Sequence, residues 1–82
     1  MKPRKLALGD RNLVGARVTS ARKAKGMKQV ELLAKLQLEG VDISVPALSL
    51  LEGQKRPVSD SELAALAKVL QVSVNWLLGQ EE

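Results

Sequence analysis

Apolar residues along the chain fall into groups with helical spacing, and most groups are bounded by a capping or turn residue. Val14, Val18 and Ala21 recur at intervals of four and three, as on one face of a helix. Asp10 stands ahead of them as the expected N-cap. Gly26 follows as the expected helix stop, with Met27 folding back onto the core. Leu32, Leu33 and Leu36 form the stripe of a second helix, ended by Gly40. The next turn carries Val41 and Ile43 inward. Ser44 caps a third helix. Pro46 lies in its first turn, where a missing N–H costs no hydrogen bond, and Leu48 and Leu51 face the core. Ser59 and Glu62 make an S-x-x-E capping box for a fourth helix, with Leu63, Leu66, Ala67 and Leu70 as its stripe. Ser73 caps a short fifth. The expected helices run over 11–25, 28–39, 45–52, 60–70 and 74–78. Apart from a few residues around "QVSV", no segment alternates with the period of a strand. The pattern predicts an all-α fold: one compact five-helix domain over 10–82, preceded by an arm over 1–9.

Composition narrows the chemistry. A chain of 82 residues fits one small domain and buries only roughly 60% of its unfolded surface. There is no Cys and no His. The common zinc sites, the Ser-His-Asp triad and the Cys-His dyad are therefore excluded. No GxGxxG or P-loop pattern occurs. We expect no enzyme, no cofactor, no metal and no small-molecule ligand. The apolar run after "MKPRK" is too short for a signal peptide. The longest apolar stretch is broken by Lys68, Gln71 and Asn75, so no membrane span is expected. The expected compartment is the cytoplasm.

The net charge is +4, but its distribution says more. Residues 1–28 hold nine Lys or Arg against Asp10, a balance of +8, and residues 29–82 a balance of −4. Such asymmetry points a polyanion at one side of the molecule. The second and third helices, joined by a short turn, match the plan in which the second helix of a pair enters the major groove. A groove about 12 Å wide accepts one helix.

The pieces "LVGARVTSARKAKGMKQ", "GVDIS", "ALS", "LEGQKRPVSDSELAALAKVL" and "VSVNWLLG" come in an order and spacing that resembles the Cro/lambda-repressor type of helix-turn-helix protein, the Xre family. The resemblance covers roughly residues 12–79. It implies a cytoplasmic, repressor-like transcription regulator that binds double-stranded DNA as a homodimer on a near-palindromic operator. By the same resemblance, Lys28 and Gln29 begin the second helix against the DNA backbone or an adjacent base. Ser44, Val45, Pro46, Ser49 and Leu50 form the groove-facing side of the third. Lys55 and Arg56 match a basic loop that grips phosphate. Arg22 and Glu52 match a structural ion pair. The basic arm, with Lys2, Arg4 and Lys5, is expected to add minor-groove or phosphate contacts. Trp76, Leu77 and Leu78 are expected at the dimer interface, since so short a helix cannot bury all three.

Four departures stand out. Lys28 replaces the usual Thr or Ser cap. Leu33 replaces a small Ala between the second and third helices. Gln54 stands where Gly commonly takes a left-handed turn, which suggests that the turn shifts to Gly53. Val45, Pro46 and Leu50 stand where the family carries polar or basic readers. An alternative function follows from the last: a protein–protein interaction module that uses the apolar face of the third helix.

Overall fold

Most of the helices begin where the sequence offers an acceptor to their first free amides. The computed structural model describes residues 9–80. It contains α1 (Gly15–Ala24), α2 (Gln29–Leu38), α3 (Val45–Glu52), α4 (Asp60–Leu70) and α5 (Val74–Leu77), and no strand among the described residues. Ser44 Oγ accepts from the Ala47 amide at 3.2 Å. Ser73 Oγ accepts from Trp76 at 2.9 Å. At α4 the box is reciprocal: Ser59 Oγ accepts from the Glu62 amide at 3.1 Å, and Glu62 Oε1 from the Ser59 amide at 3.0 Å. At α2 only half a box forms. Glu31 Oε1 accepts from the Lys28 amide at 2.7 Å, but a lysine side chain has no acceptor to return.

Helix α1 departs from expectation. It begins at Gly15 rather than residue 11, and Asp10 does not cap it. The side chain of Asn12 does that work, with Oδ1 accepting from Val14 and Gly15 at 3.0 and 2.8 Å. Its Nδ2 donates to the carbonyls of Leu51 and Arg56 at 3.1 and 2.8 Å. Carbonyls at a helix C-terminus have no intrahelical partner. An amide can cap one helix start and donate to carbonyls elsewhere, here one in the last turn of α3 and one in the loop after it, whereas an ionised Asp only accepts. The segment over 9–14 therefore runs as a strap along the turn after α3. The Gly9 amide donates to Gly53 at 2.8 Å and the Arg11 amide to Gln54 at 2.9 Å.

The turn after α3 also differs. Gly53 has φ −83°, and Gln54 itself takes the left-handed conformation at φ 60°. The turn does not shift by one residue. A non-glycine residue there costs about 1–2 kcal/mol. The strap offsets this, because Gln54 Nε2 donates to the Asn12 carbonyl at 2.9 Å.

The core gathers one face of every helix. Val14 and Gly15–Ala24 supply Val14, Val18 and Ala21; α2 supplies Leu32, Leu33 and Leu36; α3 supplies Leu48 and Leu51. Helix α4 adds Ala65, Leu66, Ala67 and Leu70, and α5 adds Leu77. Leu63, expected on the α4 stripe, is only partly buried, as are Met27, Val41 and Ile43. Among the described residues no helix is long and apolar enough to cross a membrane.

Candidate nucleic-acid interface

Burial of Leu48 and Leu51 sets the rotation of α3 about its axis, and the opposite face is left to solvent. Val45 and Leu50 are 40% and 47% exposed; Pro46 and Ser49 are exposed beside them. At positions 45, 46, 49 and 50 they share one helical face. Ser44, at the head of α3, is exposed, with its oxygen turned to the helix start. An open cleft of about 570 Å³ runs alongside, lined from α1 and α2 by Arg22, Lys23 and Gln29 and from α3 by Pro46, Ser49 and Leu50, with Lys55 at its end.

A polar network holds α3 against α1. Arg22 Nε and Nη2 donate to the two oxygens of Glu52 at 2.8 and 3.1 Å. Its Nη1 donates to the Met27 carbonyl at 2.8 Å. Glu52 is 8% exposed and Arg22 11%. A fork-on-fork pair of this kind is directional as well as charged. Gln29 extends the network: its Nε2 donates to Glu52 Oε1 at 3.1 Å and to Ser49 Oγ at 3.3 Å. The three helices that frame the cleft are thus tied at one carboxylate.

The two residues of the basic loop have different surroundings. Arg56 is half-buried and pairs with Glu62, Nη2 to Oε2 at 3.1 Å. Burial works against the charged Glu62 carboxylate, but the Ser59 amide and the Arg56 guanidinium together outweigh it and hold its pKa below the ordinary value. Part of the Arg56 charge is therefore already matched. Lys55 is exposed, as are Lys23 and Lys28, and none of the three has an acidic partner among the described residues. Lys2, Arg4 and Lys5 lie outside the described residues.

The three residues expected at a dimer interface point three ways. Leu77 is 0% exposed and belongs to the core of its own protomer. Trp76 is partly buried; Arg17 lies over its ring at 5.1 Å from the centroid, a cation–π distance. Leu78 lines a different, shallow depression with Leu13, Pro57, Val58 and Leu63. Leu13 was not singled out by the sequence pattern, yet it is 69% exposed. Asn12 was missed as well. The available signal was an Asn two places ahead of the first core position, Val14.

The helix-turn-helix family profile matches residues 18–77, well over half of the chain. No curated protein and no solved structure matches it. The matched span contains α2, the turn and α3, with the arginine–glutamate tie beneath them and an exposed α3 face above. On the family match and this arrangement, the chain belongs to the Cro/lambda-repressor (Xre) type of helix-turn-helix DNA-binding family.

Proposed function

We propose that this protein is a cytoplasmic transcription regulator, repressor-like, that binds a near-palindromic operator in duplex DNA as a homodimer. One observation carries the reading. Helix α3 is locked at its core side and at Glu52, and it offers Val45, Pro46, Ser49 and Leu50 to solvent on one face. Affinity comes mainly from phosphates, through exposed Lys23, Lys28 and Lys55 with Arg56 as a partly neutralised fourth. Apolar Val45, Pro46 and Leu50 fill the groove and touch thymine methyls, which favours A·T-rich half-sites. We place the dimer contact at Leu78 and Leu13, in the depression that includes Pro57 and Val58. That depression adjoins the basic loop through Pro57.

The same apolar face supports the second reading, a docking site for a protein partner. Leu50→Lys separates the two. On the DNA reading it puts a long cation in place of a methyl contact, so binding to the preferred site loses sequence discrimination while gaining salt sensitivity. The interaction reading gains support if the substitution raises DNA affinity and abolishes a protein complex. Titrations of wild type and variant against specific and unrelated duplexes at several salt concentrations read the first outcome, and co-purification of the protein complex with each reads the second.

A further inference from the structure

Gln29 and Ser49 share a hydrogen bond whose direction decides what each has left to offer. Glu52 is ion-paired with Arg22, so its carboxylate only accepts. The atom of Gln29 that meets it at 3.1 Å is accordingly Nε2. The same nitrogen donates to Ser49 Oγ at 3.3 Å. A side-chain amide carries two donor hydrogens, and both are now used within the protein. Gln29 keeps only Oε1, an acceptor without a partner among the described residues. Ser49 keeps its hydroxyl hydrogen, since its oxygen is the acceptor of that bond. Both residues line the cleft beside the α3 face.

This allocation changes what Gln29 can contact. A phosphate oxygen accepts and does not donate, so the side chain in this orientation offers it nothing. Base edges in the major groove differ from one another. Guanine shows two acceptors, cytosine a donor, thymine an acceptor and a methyl, and adenine a donor at N6 beside an acceptor at N7. An acceptor beside a donor on the protein complements adenine. We propose that Gln29 Oε1 and the Ser49 hydroxyl together read one adenine in each half-site. Oε1 accepts from N6–H and Ser49 donates to N7. Leu50, next to Ser49, meets a thymine methyl. The pair is a divided form of the contact that one Asn or Gln amide makes alone. Arg22 and Glu52 are its positioning residues, because they turn the amide. The inference rests on the DNA-reading function proposed above and extends it to a base and a polarity.

The test is selection of bound sequences from random duplex DNA, with the full chain and with Gln29→Ala, Ser49→Ala and Ser49→Thr. The wild type enriches a fixed adenine in each half-site. Both alanine variants lose that preference, on the order of tenfold as for one paired base contact, with other positions unchanged. Ser49→Thr restores it by restoring the hydroxyl. The salt dependence of binding stays the same in all four proteins. A Gln29→Ala variant that weakens every sequence alike, with a shallower salt slope, marks a phosphate contact and overturns the proposal. Unchanged base preferences in the alanine variants also overturn it. If Gln29→Ala lowers the melting temperature, exposed Ser49 still carries the test. A wild-type chain that enriches no sequence defeats the DNA-reading function itself, which a change confined to the variants does not.

Discussion

Glu52→Ala lowers stability by about 3–5 kcal/mol, as expected when one partner of a buried ion pair is removed. At about 4–8 °C per kcal/mol for a domain of this size, the melting temperature falls by roughly 12 °C or more. The loss does not measure the net worth of the pair. It comes from what is left behind. Arg22, 11% exposed, keeps its charge and loses both carboxylate oxygens, and Gln29 loses one of its two acceptors. Glu52→Gln retains an acceptor oxygen and loses less. Thermal melts of the three proteins check the order. A shift of less than about two degrees for Glu52→Ala, well under 1 kcal/mol on that scale, contradicts a structural role for the pair.

Gly15→Ala is the second large effect, and its sign opposes helix propensity. Within a helix, alanine is ordinarily better than glycine by roughly 0.5–1 kcal/mol. Gly15, however, opens α1 directly against the end of α3. A Cβ there would lie 2.3 Å from the Leu51 carbonyl oxygen and 2.8 Å from that of Glu52. Both are backbone atoms, so no rotamer change relieves the clash and α1 must move away from α3. We expect a loss of about 3 kcal/mol, at the upper end of overpacking costs. The displacement also strains Asn12, which bridges the same two elements. Equal or greater stability of Gly15→Ala in denaturant titration contradicts this close approach.

What was legible in the sequence is what is decided locally. The serine caps at 44, 59 and 73 act within three residues of themselves, and the core positions follow from spacing within each helix. The start of α1 was not legible, because Asn12 outcompetes Asp10 through carbonyls 39 and 44 residues away. The left-handed Gln54 runs against local preference and is held by the strap. On and beside the exposed face of α3, the direction of the side-chain hydrogen bonds was not legible either. Gln29 was expected to face DNA, and it lines the cleft, but its donors are directed to Ser49 and Glu52 by folding. Of the expected interface residues Trp76, Leu77 and Leu78, Leu77 lies in the core of its own protomer for a related reason. Which side of so short a helix is buried depends on α1 and α4, not on its own four residues.

On the proposed function, the exposed face of α3 enters the major groove of duplex DNA. Selection of bound duplexes by the unmodified protein at low salt tests it most directly. The expected result is two inverted, A·T-rich half-sites about 34 Å apart, one turn of DNA. Binding without any enriched sequence, or no detectable binding to duplex DNA at low salt, would contradict it.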